Sequence, residues 1–254
     1  MDAIERKLLN SKGERISGEV IFPENKITGS VLFVHGFFSD MDERGGFFRS
    51  LANELIEKNI AVRRFDFSGC GKSEGKQEDR TSSLWIEELK LWTGDKEKTG
   101  KLKGLDEIIV AASFGCSLVG IVRPKARGYV FICGGGTPEK NLKELFGKNL
   151  NIAGISERIS TKGICRVGHE FWKDLRKYDF LEESGEIEVP VLFIAGENDE
   201  FISMQDSEDL FLRIGSGKEI VKVKNGDHMF TNENARQEVF VRIIKKVKEW
   251  SKTE

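Results

Sequence analysis

Short apolar runs rich in Val, Ile and Phe alternate along the chain with longer segments of helical periodicity, and this alternation constrains the fold more than any other feature. Repeated strand–helix units predict an α/β fold, with a mostly parallel sheet covered by helices on both faces. Two strands, Ile4–Leu9 and Ile16–Phe22, are predicted around the turn-prone segment Asn10–Gly13. The six further predicted strands are Ser30–Val34, Ile60–Phe65, Glu107–Ala111, Tyr129–Cys133, Val191–Ala195 and Glu219–Val223.

One long segment interrupts the alternation. From Gly134 to about Glu188 the chain has scattered glycines, mixed polarity and no clean period, after which strand–helix alternation resumes. We therefore predict an insertion at about 134–188 that caps one edge of the sheet. The 254 residues are enough for one large α/β domain, so a single domain spanning 1–254 is expected.

The composition argues against several classes of function. The chain has 40 basic and 42 acidic side chains and no concentrated Lys/Arg segment, so no nucleic-acid partner is predicted. No apolar run approaches the ~20 residues that span a bilayer, and the first ten residues lack a signal-peptide core, so no stable membrane insertion is expected. The four cysteines show no CxxC spacing, which favours reduced thiols in a cytoplasmic protein.

A small-x-Ser-x-Gly pattern follows one of the predicted strands. The segment runs from Ala111 through Ser113 to Gly115 and then continues into a helical pattern. A serine nucleophile at a strand-to-helix turn has strained backbone geometry, which requires small residues two positions before and two positions after it. The usual form has Gly where Ala111 stands. The alternative interpretation is a serine near an ordinary strand end.

Two acidic residues, Glu197 and Asp199, follow the predicted buried strand Val191–Ala195. The run Val191–Ala195 leads into Gly196 and then a loop that contains Asp199. Such a loop lies at the carboxyl edge of the sheet, where ligand sites of α/β proteins gather. Asp199 is the predicted catalytic acid, and Glu197 is the competing candidate because it lies nearer the strand end. Asp199 could instead be a turn residue or an acid at the entry of the next helix.

His228 completes an ordered set of three residues. It follows the last predicted strand, precedes the final helix and is one of only three histidines in the chain. A lone histidine is more often structural than catalytic. However, the order Ser113, Asp199, His228, each at a strand end, is the order of a serine hydrolase triad on an open α/β sheet.

With these motifs the chain resembles the α/β-hydrolase family over essentially its whole length. It looks most like the small-capped serine esterases and acylhydrolases, which include cinnamoyl and feruloyl esterases, monoglyceride-lipase- and lysophospholipase-like enzymes and serine aminopeptidases. The sequence Val34-His35-Gly36-Phe37 matches the family's oxyanion loop. The segment 66–73 matches its D-x-R-G-H-G-x-S loop, with Ser68 and Cys70 in place of Arg and His.

The resemblance implies a mostly parallel eight-stranded sheet flanked by helices, with a small cap inserted after strand 6. It also implies an oxyanion hole formed by the backbone N–H groups of Phe37 and Phe114, whereas His35 is expected to shape its loop. A serine at the elbow argues against haloalkane dehalogenase and epoxide hydrolase chemistry, because those relatives place Asp there.

The predicted function is that of a carboxylesterase that cleaves small to medium acyl or aryl esters through an acyl-enzyme on Ser113. We expect a small-molecule ester as substrate, no cofactor and no metal, and the oligomeric state stays open. A serine peptidase or a thioesterase on the same fold is the alternative. A catalytically silent ligand-binding protein is a third hypothesis, which an intact triad argues against.

Aromatic residues of the predicted cap are candidates for the substrate pocket. They could line an acyl or aryl pocket, or they could form the small core of the cap itself. The four residues are Phe146, Phe171, Trp172 and Tyr178.

Overall fold

The computed structural model describes residues 2–160 and 163–251. Eight strands form one sheet in the order β1-β2-β4-β3-β5-β6-β9-β10, and β7 and β8 form a separate hairpin. The strands are β1 Asp2–Leu9, β2 Arg15–Phe22, β3 Gly29–Val34, β4 Ile60–Phe65, β5 Glu107–Ala112, β6 Gly128–Ile132, β7 Ser156–Ser160, β8 Gly163–Val167, β9 Val191–Gly196 and β10 Lys218–Val223.

In the sheet order, the pairings from β4 to β10 are parallel, whereas β2 pairs in the antiparallel sense with both of its neighbours, β1 and β4. Every residue of β3, β4, β5, β6 and β9 is buried, as expected for strands that are covered on both faces. This is why their sequences are largely apolar, and the charged residues Arg63, Arg64 and Glu107 within them form ion pairs. The predicted mostly parallel eight-stranded sheet is confirmed.

Eight α-helices accompany the sheet within the described residues. Polar side chains begin several of them: Thr81 accepts a hydrogen bond from Leu84 N, Ser203 from Asp206 N and Asn232 from Ala235 N. The helices are α1 Phe47–Glu57, α2 Ser82–Asp95, α3 Phe114–Val122, α4 Pro138–Phe146, α5 His169–Leu175, α6 Phe180–Ser184, α7 Met204–Arg213 and α8 Glu233–Trp250.

Two buried clusters, one on each face of the sheet, form the core. Consecutive residues of β3 alternate between them, because side chains of a strand point to opposite faces. Val31 packs in the cluster that contains Leu51 of α1 and Ile243 of α8. Leu32 packs in the cluster that contains Leu89 of α2 and Leu118 of α3. Helices therefore cover both faces, as predicted.

The segment between β6 and β9 contains α4, the β7–β8 hairpin, α5 and α6. These elements are short, which explains why the sequence shows no clean period there. Their aromatic side chains pack onto loops at the carboxyl edge of the sheet: Phe171 contacts the ring of Phe37 at 5.1 Å and Phe180 contacts that of Phe114 at 5.9 Å between centroids. The small cap after the sixth strand is confirmed.

Within the part of the chain that the structure describes, no helix has both the length and the apolar character needed to cross a membrane.

Candidate active site

Ser113 lies at the turn between β5 and α3 in a strained backbone conformation. Its φ is 52° and its ψ is −123°, which a residue with a Cβ rarely adopts. A Cβ on Gly115 would lie 2.6 Å from the carbonyl oxygen of Val34, so only glycine fits there. Ala111 faces the core, where a methyl group packs without obstruction. The small residues of the sequence pattern are thus explained, including the departure at Ala111.

Asp199 and His228 form a hydrogen-bonded pair. His228 Nδ1 lies 2.9 and 2.8 Å from the two carboxylate oxygens of Asp199. The carboxylate also accepts from the backbone N–H groups of Phe201 and Ile202, at 2.8 and 2.9 Å. These donors fix the carboxylate, which in turn orients the imidazole. Of the two acids considered from the sequence, Asp199 is the one that meets His228, whereas Glu197 is exposed.

Ser113 and His228 line the same cavity, which has a volume of about 470 Å³. In the described part of the chain, the Ser113 hydroxyl makes no hydrogen bond. The walls of the cavity are mostly apolar; they include Phe37, Phe38, Phe114, Pro138, Leu142, Leu145, Ile159, Phe201, Ile202 and Met229.

Phe37 and Phe114 both line this cavity together with Ser113. Phe114 is the first residue of α3, so its backbone N–H has no partner within the helix. Gly36, which precedes Phe37, approaches Ser113 so closely that a Cβ on it would lie 3.0 Å from the Ser113 Cβ. The two loops proposed to form an oxyanion hole therefore meet at the serine.

A buried hydrogen-bond network holds the loop that contains Phe37. His35 Nδ1 is hydrogen-bonded to the carbonyl of Gly36 at 2.8 Å, and its Nε2 accepts from the N–H of Phe67 at 3.0 Å. The Gly36 N–H donates to Glu43 at 2.7 Å. Both ring nitrogens of His35 are thus engaged in shaping the loop. Glu43 was not found from the sequence, where it is one acid among many.

Arg80 is a second residue that the sequence pattern does not reveal. Its guanidinium is buried and lies 5.3 Å from the ring centroid of Phe37, 5.5 Å from that of Phe38 and 5.6 Å from that of Trp85. Its Nη1 contacts the sulfur of Cys70 at 3.9 Å. A buried cation stacked on aromatic faces supports the shape of the oxyanion loop. Burial lowers the pKa of this guanidinium.

Cys133 lies behind the Asp199–His228 pair. It follows β6 with a φ of 48°, and its sulfur lies within 4.8 Å of ligand atoms of both residues. Burial raises the pKa of the Cys133 thiol, and the nearby Asp199 carboxylate raises it further. Three such groups could in principle ligate a metal ion. However, a metal requires the thiolate, and Asp199 and His228 already bind each other.

The structure places the four cap aromatics outside the lining of the active-site cavity. Phe146, Phe171 and Trp172 are buried, and all three belong to the large core cluster on the α2–α3 side of the sheet. Tyr178 packs against the same cluster, and its hydroxyl is hydrogen-bonded to Ser83 Oγ at 2.8 Å. Their position agrees with the alternative interpretation of the sequence, in which these aromatic residues form the core of the cap.

No protein-family model matches the chain. Among curated proteins it is similar to the mitochondrial palmitoyl-protein thioesterase ABHD10 of Bos taurus, with 25% identity over 214 residues, and to that of Homo sapiens, with 24%. Each match covers 78% of this chain. The matched region spans 66% of the length of these relatives.

Solved structures share the fold at low sequence identity. Est1E from Butyrivibrio proteoclasticus with bound ferulic acid has a TM-score of 0.78 and 19% identity, covering 96% of this chain and 97% of its own. The esterase domain of a Rhodothermus marinus protein has a TM-score of 0.75 and 17% identity, covering 99% and 100%. The Pyrococcus furiosus esterase Pf2001 has a TM-score of 0.74 and 17% identity, covering 99% and 94%. The sheet order, the cap after β6 and these likenesses together show that the chain has the α/β-hydrolase fold.

Proposed function

We propose that the protein is a serine hydrolase that cleaves carboxylic esters through an acyl-enzyme on Ser113. One observation carries the proposal: the strained serine of the β5–α3 turn and the imidazole of the Asp199–His228 pair line one cavity. A nucleophile, a base that takes its proton and an acid that orients the base are the three groups that acyl transfer requires. A binding protein has no use for all three groups together.

In the proposed reaction, His228 Nε2 accepts the Ser113 proton while Oγ attacks the acyl carbonyl carbon. Asp199 holds the imidazole in the tautomer that carries its proton on Nδ1 and stabilises the imidazolium. The N–H groups of Phe37 and Phe114 would donate to the oxyanion, a contribution of about 2.7–4 kcal/mol per donor in hydrolases of this kind. His228 then protonates the leaving group, and a water molecule releases the acyl group by the reverse proton path.

The cavity favours small to medium acyl or aryl esters. Its volume of about 470 Å³ and largely apolar walls suit a short acyl chain or one aromatic ring. Est1E, which has this fold, is described with bound ferulic acid, an aromatic acid. Hydrolysis of thioesters is the second candidate, because the curated relatives are named palmitoyl-protein thioesterases. Peptide substrates have less support, because Glu43, the one acid among the described residues that line the cavity, accepts hydrogen bonds from backbone N–H groups and is not free to bind a peptide amine.

Hydrolysis of p-nitrophenyl esters of increasing acyl length tests the proposal. We expect turnover by the wild type and a loss of at least ~10³-fold in Ser113→Ala, as for other serine hydrolases without their nucleophile. A fluorophosphonate probe should label the wild type and leave Ser113→Ala unlabelled. Ser216→Ala serves as a control, because its hydroxyl binds the carbonyl of Val189 and does not line the cavity.

Each other outcome has a definite meaning. Full activity in Ser113→Ala would show that another group is the nucleophile. Turnover of acyl thioesters without turnover of oxygen esters would favour the thioesterase alternative. A wild-type protein that neither reacts with the probe nor cleaves any ester, thioester or amide would be a ligand-binding protein with this fold.

A further inference from the structure

Two arginine side chains lie beside the ring of Phe201 in the wall of the active-site cavity. The guanidinium of Arg44 lies 5.3 Å from the ring centroid, and that of Arg158 lies 5.5 Å from it. Arg44 belongs to the short turn before α1, whereas Arg158 belongs to β7 of the cap. Two cations thus reach one ring from distant parts of the chain, and ester cleavage as described above gives neither of them a role.

Phe201 marks the side of the cavity from which the leaving group departs. Its ring packs edge-on against the imidazole of His228, with centroids 5.1 Å apart and an interplanar angle of 88°. In acyl transfer the imidazole that accepts the serine proton gives it to the leaving group. The departing alcohol or thiol therefore lies next to His228, and both guanidinium groups are beside that position.

The charges around the two arginines differ. Arg44 Nη1 lies 3.4 Å from the carboxylate of Glu200. Arg158 forms no ion pair with an acidic side chain among residues 2–160 and 163–251, although its strand neighbour Glu157 pairs with Arg166. Arg158 is also only partly exposed, so it is a partly desolvated cation without a described counter-charge.

Glu43, which also lines the cavity, does not supply that counter-charge. Its two carboxylate oxygens accept hydrogen bonds from the backbone N–H groups of Gly36 and Arg44, at 2.7 and 2.9 Å. The leaving-group side of the cavity therefore combines an aromatic surface with two guanidinium groups. A negatively charged substrate group would complete this arrangement.

We propose that the substrate carries a carboxylate or phosphate on its leaving group, and that Arg158, assisted by Arg44, binds it. This inference rests on the proposed hydrolase function. Guanidinium groups bind such oxyanions through paired N–H donors. In the reaction a bond forms between Ser113 Oγ and the acyl carbon, the bond to the leaving oxygen or sulfur breaks, and that atom takes the proton from His228. The anionic group itself is unchanged.

Matched ester pairs test the proposal. The first pair consists of the butanoyl esters of 4-hydroxybenzoate and of methyl 4-hydroxybenzoate, which differ in one negative charge on the leaving group. The second pair consists of the butanoyl thioesters of 4′-phosphopantetheine and of pantetheine, which differ in one phosphate on the leaving group. Since the members of a pair differ in intrinsic reactivity, the quantity to compare is the change in their kcat/KM ratio between variants.

We expect Arg158→Met to lower kcat/KM for at least one anionic substrate about tenfold while its neutral counterpart changes less than about twofold, the size expected for a charge-assisted contact that is partly exposed. Arg158→Lys should restore part of the preference, and added salt should weaken it. Arg166→Met is the matched control, because Arg166 lies on the neighbouring strand β8 and does not line the cavity.

An equal loss of kcat/KM for the charged and neutral members of both pairs would overturn the inference. Arg158 would then act only by packing β7 of the cap against Phe201. Unchanged ratios in Arg158→Met would overturn it as well, while the hydrolase proposal would stand. A wild type that cleaves p-nitrophenyl esters but none of the four compounds would overturn the inference alone, whereas a wild type that also fails on those esters and on the fluorophosphonate probe would contradict the hydrolase proposal, and the inference would fail with it. An effect confined to one pair would identify the anion as carboxylate or phosphate.

Discussion

Two buried carboxylates of this protein, Glu107 and Asp199, each bind a nitrogen-containing side chain, and the two pairs resemble each other in geometry and differ in their surroundings. Arg63 Nη1 lies 2.9 and 3.0 Å from the two oxygens of Glu107, and both side chains are almost completely buried. His228 and Asp199 are joined at 2.8 Å, with 9% and 4% of their side chains exposed. Distance and burial alone do not distinguish the two pairs.

The surroundings do distinguish them. Arg63 and Glu107 lie on β4 and β5, separated by β3, and Arg63 also donates to the carbonyl of Trp92 on α2. Neither residue lines the active-site cavity, whereas His228 does, together with Ser113. The Arg63–Glu107 pair is enclosed by protein on all sides, whereas the His228–Asp199 pair borders a cavity in which a substrate can bind. Of these two pairs, only His228–Asp199 has a partner that can reach a group bound in the cavity.

A third buried carboxylate, that of Glu88, has no cationic partner within residues 2–160 and 163–251. Glu88 accepts hydrogen bonds from Asn10 Nδ2 at 2.8 Å and from the N–H of Ser68 at 2.9 Å. Burial raises the pKa of Glu88 to about 7, against the lowering effect of these donors. The three acids thus form a series: one neutralised by arginine, one paired with a histidine at a cavity, and one held only by neutral donors.

Replacing the acid of the cavity pair should have the largest effect on activity. In Asp199→Asn the amide no longer stabilises the imidazolium and favours the wrong tautomer of His228, so we expect kcat to fall on the order of 10⁴-fold. The free energy of unfolding should change far less. Steady-state hydrolysis of a p-nitrophenyl ester and urea unfolding of the same preparation measure the two quantities.

Glu197→Gln is the control for this substitution, because Glu197 lies on the same loop, is exposed and does not line the cavity. It should retain full activity. If Glu197→Gln were inactive and Asp199→Asn active, the catalytic acid would be misassigned.

Breaking the enclosed pair should have the largest effect on stability. Glu107→Ala leaves Arg63 buried and without its carboxylate, which should lower the free energy of unfolding by about 3–5 kcal/mol. Replacing both residues, as in Arg63→Met with Glu107→Leu, should recover most of this loss because no charge stays buried. Urea unfolding followed by circular dichroism measures both variants.

Asp106→Ala is the matched control for the enclosed pair. Asp106 precedes Glu107 in the chain and pairs with Arg127 at 2.7 Å, but both of those side chains are largely exposed. Removing an exposed pair should cost no more than about 1 kcal/mol. Similar losses in Glu107→Ala and Asp106→Ala would contradict the role assigned to burial.

Glu88 should give the smallest effect, visible as a pH dependence of stability. The pKa of Glu88 is raised from 4.5 to about 7 on folding, so its favourable contribution is complete below 4.5 and is lost as the pH rises through about 7. Wild type should therefore lose stability relative to Glu88→Gln across this window, by up to about 3 kcal/mol. Urea unfolding of both proteins at several pH values measures the difference; a difference that does not vary with pH would contradict the prediction.

The sheet and the three principal site residues could be predicted from the sequence because their signals are local. A strand covered on both faces is largely apolar, and the turn at Ser113 requires small residues two positions before and two positions after it. Ser113, Asp199 and His228 each follow a strand of one parallel sheet, so strand order alone predicts that they meet at one edge.

Other features of the site depend on contacts between residues distant in the chain. Arg80 stacks on Phe37, Cys133 lies behind Asp199, and Arg158 meets Phe201, yet none of these residues belongs to a recognisable local pattern. The cap aromatics could not be assigned from the sequence for the same reason. An aromatic residue of a buried core and one that lines a pocket are of the same type and occur at the same spacing along the chain.

The sequence by itself therefore determined the eight strands of the sheet and the residues placed at the ends of three of them, because backbone sterics and apolar periodicity act over a few neighbouring residues. Only the tertiary structure decided the elements of the cap, which buried carboxylate pair opens onto a cavity, and which cap residues and arginines line that cavity. Those properties depend on how the cap packs against the sheet, and the side chains that meet there come from segments more than a hundred residues apart, such as Arg44 and Arg158.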